Sequence, residues 1–107
     1  MHNTLQGGLH YKLAFYSDAL PLGAAHIALF NEIVEVVRLD VSDRLTTPEQ
    51  VSEMVHQIDL FLAETGATVA YIDADGFADA LVDEFVFAGY DEDWTSTSNT
   101  MYKLLKT

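Results

Sequence analysis

The chain has 107 residues, 17 acidic against 5 basic side chains for a formal net charge of −12, half its residues apolar, and no cysteine. That length holds one small domain, and the apolar content is that of a folding chain rather than a disordered one. The missing cysteines exclude disulfides, thiolate zinc sites and a cysteine nucleophile, and no apolar run is long enough to span a bilayer.

In chain order, residues 1–10 are expected to form a flexible arm and residues 11–107 a single domain. Tyr11 to Tyr16 predicts a first strand, with Ser17 to Gly23 as its turn. Ala24 to Phe30 predicts a second strand, and Asn31-Glu32 a tight corner. Ile33 to Val41 predicts a third, rich in β-branched residues with polar ones between them. These three are expected to form an antiparallel meander.

The hydrophobic period then changes from two to between three and four. Thr47-Pro48-Glu49-Gln50 is a helix start: a hydroxyl N-cap, proline first, an acid second and glutamine third. Val51, Met54, Val55, Ile58, Phe61 and Leu62 give the helix one apolar face, and Gly66 stands where a left-handed C-terminal cap belongs. Ala67 to Ile72 predicts a fourth strand. Asp75 is expected to cap a second helix from Gly76 to Ala88, with Phe77, Leu81, Val82 and Phe85 inward and Gly89 at its end. An acidic loop leads to a last strand over residues 98–105. The order β-β-β-α-β-α-β predicts an α/β sandwich, a mixed and mostly antiparallel sheet covered by two helices.

Charge narrows the partners. Between Arg44 and Lys103 there is no lysine or arginine, while Asp73, Asp75, Asp79, Asp83, Glu84, Asp91, Glu92 and Asp93 accumulate. A phosphate backbone or an anionic membrane is bound through cations, so direct nucleic-acid and membrane binding are excluded. Basic proteins, including those that bind nucleic acid, are the partners such a surface attracts. The N-terminus lacks a basic segment followed by an apolar one, which points to a cytoplasmic or virion-associated rather than a secreted protein.

Few motifs carry chemistry. Asp73-x-Asp75-Gly76 has its glycine at the fourth position and Phe77 at the fifth, the wrong pattern for a calcium loop. His2, His10, His26 and His56 include no pair at zinc spacing, so no metal is expected. There is no Gly-x-Ser-x-Gly elbow, phosphate loop or dinucleotide fingerprint. Glu32, Glu35 and Asp40 lie on or beside the third strand, and Glu35 is a candidate general base if its carboxylate is partly desolvated.

The element order, together with Leu20-Pro21-Leu22-Gly23-Ala24-Ala25, Leu39-Asp40-Val41, Gly66, Gly89-Tyr90 and Met101-Tyr102-Lys103-Leu104-Leu105, resembles the GNAT superfamily of acetyl-CoA-dependent N-acetyltransferases. The likeness covers residues 11–105 and implies a GNAT-like fold lacking the family's first strand and first two helices. It implies a general base at Glu35 and, if the chain is active, cofactor contacts from Leu39, Val41, Arg44, Thr46, Thr47 and Gln50. The family's Arg/Gln-x-x-Gly-x-Gly/Ala loop would place its glycines at Glu49 and Val51 and its cation at Thr46, with Arg44 two residues early. The family's asparagine and tyrosine fall at Ala78 and Phe85, and a phenyl ring has no proton to donate.

These departures lead to the expectation of a catalytically degenerate domain that takes no cofactor. Such a domain would act as a structural or protein-binding module, self-associating or docking to a partner, with a phage virion as an origin the resemblance suggests. Two alternatives stand beside it: an active acyl-CoA N-acyltransferase with an atypical cofactor loop, and an acidic inhibitor of a nucleic-acid-binding protein.

Overall fold

Alternating β-branched and polar residues build the first layer. In the computed structural model, which describes residues 9–42, 47–92 and 99–105, β1 (Leu9–Ser17), β2 (Leu20–Phe30) and β3 (Ile33–Val41) form an antiparallel meander. Helix α1 (Pro48–Glu64) then crosses to β4 (Val69–Asp73), which pairs parallel to β3. Helix α2 (Asp79–Phe87) leads to β5 (Asp91–Glu92) and β6 (Thr100–Leu104), giving one six-stranded sheet of order β1-β2-β3-β4-β6-β5. The expected mixed, mostly antiparallel α/β sheet with two helices is the observed one. No helix among the described residues is long and apolar enough to cross a membrane.

Both helices lie on one face of the sheet. Val34, Val36, Ala70, Ile72 and Met101 alternate into that face and are buried with Met54, Val55, Ile58 and Leu62 of α1 and Leu81 and Phe85 of α2. The α1 start follows its sequence signature. Thr47 Oγ1 accepts from the Gln50 amide at 3.1 Å, and Gln50 Oε1 accepts from the Thr47 amide at 3.2 Å, a reciprocal pair that satisfies two amides otherwise left bare.

A bulge decides which side chains share the helix-covered face. Ile27 pairs with Val36 and His26 with Arg38, so Val37 is left without a partner on β2. One extra residue reverses the alternation. Leu39 and Val41 therefore point to the same side as Val34 and Val36, while Arg38 and Asp40 share the opposite side with Glu35. Where the hairpin closes again, Gly23 pairs with Val41, and a Cβ at position 23 would run into the Asp40 carbonyl oxygen. Glycine is required there by proximity.

Five local details differ from the sequence expectation. β1 starts at Leu9, and the β1–β2 turn is only Asp18-Ala19, because Leu20 to Gly23 already pair with β1. Asp75 does not cap α2: its amide donates to Asp73 Oδ1 at 3.1 Å in a local turn, and the N-cap is Ala78. The acidic segment contributes the two-residue β5, which pairs with the following strand β6 and is too short to show a strand period. The last strand begins at Thr100; residues 93–98 lie outside the described residues.

The two-residue hairpin holds both Asp18 and Ala19 at positive φ, 50° and 71°. An alanine there costs roughly 1 kcal/mol relative to glycine. Ala19→Gly is expected to stabilise the domain by about 0.5–1 kcal/mol in urea unfolding; an unchanged or lowered midpoint would contradict the turn.

Candidate functional site

The parallel pairing of β3 with β4 runs only from Ile33–Val69 to Val36–Ile72. Beyond it β3 continues to Val41, whereas β4 ends at Asp73 and the chain turns away through Ala74, Asp75 and Gly76. The strands part, and a wedge opens between them. The first turn of α1 and the first two turns of α2 close its sides. The result is a cavity of about 550 Å³ walled by Leu39, Val41, Thr47, Pro48, Val51, Phe77, Leu81 and Glu84, among others. That is an ordinary size for a small-molecule site, and its wall is mainly apolar.

Glu35 stands at the apex of this wedge, on the face away from the helices. It pairs with Tyr71, one residue before the last β3–β4 pair. Partial burial raises its carboxyl above the usual glutamate range, and the negative charge of Asp73 pushes it the same way. The cavity and the carboxylate thus occupy opposite sides of one gap in the sheet. On that same open face Asp40 accepts from Arg38 Nε at 3.0 Å and lies 3.1 Å from His26 Nε2, and the Arg38 bond holds its carboxyl below the ordinary aspartate value.

The structure brings Leu39, Val41 and Thr47 together on the cavity wall. Gln50 is not among them: it turns toward a second cleft beside β1 and β2 and contributes to the α1 cap. Arg44 and Thr46 lie outside the described residues. Phe85 is fully buried, stacked on Phe77 with centroids 6.0 Å apart and edge-on to Tyr90 at 5.5 Å, so its ring serves the core. Among the described residues there is no cluster of three or more histidine and acidic side chains that could hold a metal.

Sequence reading missed a polar clasp behind the cavity. Tyr90 is buried and its hydroxyl donates to Asp59 Oδ1 at 3.0 Å; Lys103 Nζ donates to the same oxygen at 3.0 Å and to the Ala88 carbonyl at 2.9 Å. The ammonium also lies 5.3 Å from the centre of the Tyr90 ring. Burial and the nearby Asp59 carboxylate raise the Tyr90 hydroxyl far above the ordinary tyrosine value, so it stays a proton donor. The clasp ties α1 to the end of α2 and to β6. Its one sequence signal is Lys103, the sole lysine or arginine between Arg44 and Lys106.

No family model and no curated protein matches the sequence. Solved structures do match. The PaiA N-acetyltransferase of Thermoplasma acidophilum in complex with coenzyme A superposes with a TM-score of 0.71 at 14% identity over 89% of this chain. A Bacillus subtilis acetyltransferase in complex with CoA gives 0.70 at 14% over 91%, covering 78% of that protein. The ribosomal-protein-S18-alanine N-acetyltransferase of Escherichia coli gives 0.70 at 11% over 92%, covering 70% of it. This chain therefore has the GNAT fold. It spans 60% of the length of the Thermoplasma protein.

The comparisons correct one expectation. The chain was expected to take no cofactor, on the strength of Glu49 and Val51 in place of glycines; two of the structures sharing its fold hold coenzyme A. Residues 49 and 51 report on one loop only; the mainly apolar wall of Leu39, Val51, Phe77 and Leu81 is assembled from β3, α1 and the segment from Gly76 to Glu84, a union that local sequence does not show.

Glu35 yields a pH-dependent expectation. Its folded-state pKa lies above the unfolded value, so the native state holds the proton more tightly and ionisation costs stability. The cost is absent below the ordinary value of 4.5 and complete above the raised one. Glu35→Gln is expected to raise the unfolding midpoint at pH 7, with the gain disappearing on acidification below 4.5. Equal midpoints at neutral pH would show a fully solvated carboxylate.

Proposed function

We propose that this domain binds the acyl-carrying arm of an acyl-CoA in the wedge cavity and works through binding rather than turnover, as a protein-associating module of the GNAT fold. The observation that carries the reading is the apolar cavity of about 550 Å³ at the point where β3 and β4 separate. When bound, such a group supplies an activated thioester. Leu39, Val41, Val51, Phe77 and Leu81 would exclude water from its chain, and the walls of the wedge would orient it toward the gap. Two features favour binding without transfer. Phe85 and Ala78 offer no proton for a leaving thiolate, and the carboxylate in the cavity wall, Glu84, is an acceptor when ionised.

A second reading, an active N-acyltransferase, is favoured by Glu35. A half-buried carboxylate with a raised pKa, facing the gap from the other side, is suited to take a proton from an amine. The two readings separate in one pair of measurements. Calorimetric titration is expected to show acetyl-CoA binding in the range of about 10–100 µM, weakened at least about tenfold by Ala80→Trp, which fills the cavity from an exposed position on its wall. Thiol release in the presence of primary amines and basic peptides is expected to stay at background. Release that Glu35→Gln abolishes would establish the enzyme instead; titration without heat would remove the acyl-CoA reading.

A further inference from the structure

The face of the sheet opposite the helices has no covering layer among the described residues, and strand register maps it row by row. One row is entirely apolar: Phe30, Ile33, Val69 and Leu104 follow one another across β2, β3, β4 and β6. Three of them are large and open, Phe30 at 45%, Ile33 at 40% and Leu104 at 68% exposure. The next row holds Glu35 beside Tyr71 and Tyr102, whose rings lie 6.5 Å apart. In the row beyond, Lys12, His26 and Arg38 stand on β1, β2 and β3, with Asp73 on β4 across the gap. In a chain of net charge −12, one half of this face gathers Lys12, His26 and Arg38 around Asp40, the other holds Asp73 and Asp91, and Glu35 lies near the middle.

We infer that a second copy of this chain covers this face, packed sheet on sheet about a two-fold axis parallel to the strands, between β3 and β4. This rests on the module reading above and names its partner. Such an axis exchanges left and right but keeps each row on its own row, so β3 of one copy lies over β4 of the other. Ile33 then meets Val69 of the partner subunit, Glu35 meets the hydroxyl of the partner subunit's Tyr71, and Arg38 meets the partner's Asp73. Apolar falls on apolar, a carboxylate on a donor, and a cation on an anion. These three pairs lie nearest the axis, where the usual rotation of about 30° between stacked sheets displaces them least. Arg38 bonds Asp40 through Nε and Nη2, and a guanidinium with five N–H donors can serve both carboxylates.

The size of the face sets the strength. The five longer strands at about 4.8 Å and three rows at about 6.8 Å give about 500 Å² per copy, the two-residue β5 adding little. About 1,000 Å² in total is the lower limit for a specific interface, which implies a micromolar dimer rather than an obligate one. The arrangement leaves the wedge cavity open on the far side and places Glu35 out of reach of an outside amine.

Sedimentation velocity of the full chain, from about 1 to 100 µM at about 0.15 M salt, where the −12 charge is screened beyond about 8 Å, is the test. The mass is expected to move from one chain to two. Arg38→Asp and Asp73→Arg should each weaken association at least about tenfold, and the two together should restore it. Leu104→Lys, at an exposed position, should weaken it independently, with circular dichroism confirming the fold. A single-chain mass throughout, a dimer indifferent to all of these changes, or no recovery in the combined variant would each overturn the proposal. The acetyl-CoA titration reads the opposite face, so the two readings fail separately.

Discussion

The short parallel seam between β3 and β4 is the constraint from which the rest of the molecule follows. A parallel pair needs a crossover, and α1 is that crossover, so the helix must begin beyond the end of β3 and return to the start of β4. Because β3 is nine residues long and β4 five, the strands cannot stay paired to the end. The unpaired end of β3 would expose its backbone and side chains on both faces. The Val37 bulge turns Leu39 and Val41 back toward the helices, and the antiparallel ladder with β2 retains the backbone bonds up to Gly23–Val41. A gap in the sheet thus becomes a lined cavity rather than a frayed edge.

The helix layer holds that gap at a set width. α2 packs Leu81 and Phe85 into the common core, and its far end is tied down by Asp59, Tyr90 and Lys103. The three polar groups satisfy one another in a partly buried position, where any one left alone would be costly. Chemistry is divided across the sheet in consequence. The cavity on the helix side is walled by apolar groups with Glu84 as its one charged side chain, and the open side offers Glu35, whose ionisation is disfavoured by its surroundings.

The open face is unusual in its balance. The acidic surplus of the described residues resides largely on the helix side and its loops, while the bare sheet carries an apolar row, a row with Glu35, Tyr71 and Tyr102, and a row with Lys12, His26, Arg38 and Asp73, one after another along the strands. A surface of one sign repels its own copy. A surface whose signs exchange under a two-fold operation does not, and its apolar row stays in register under the same operation.

Much of the architecture was legible from residue order alone. Periods of two and of three to four, the Thr47–Gln50 cap and the β-branched run at Ile33–Val41 specify their elements through local physics: steric preference, amphipathic burial and the pairing of bare amides. Leu39, Val41 and Thr47 were singled out for the site only through the resemblance to the GNAT superfamily, and the structure sets all three on one cavity wall. What tertiary structure decided is non-local. The half of the cavity supplied by the segment from Gly76 to Glu84 and the union of Asp59 with Tyr90 and Lys103 across 31 and 44 residues depend on segments meeting through the core. Even the side on which Leu39 and Val41 lie is set by one unpaired residue in a ladder, because a single-residue slip reverses every side chain after it, and no periodicity within β3 records where its partner strand slips.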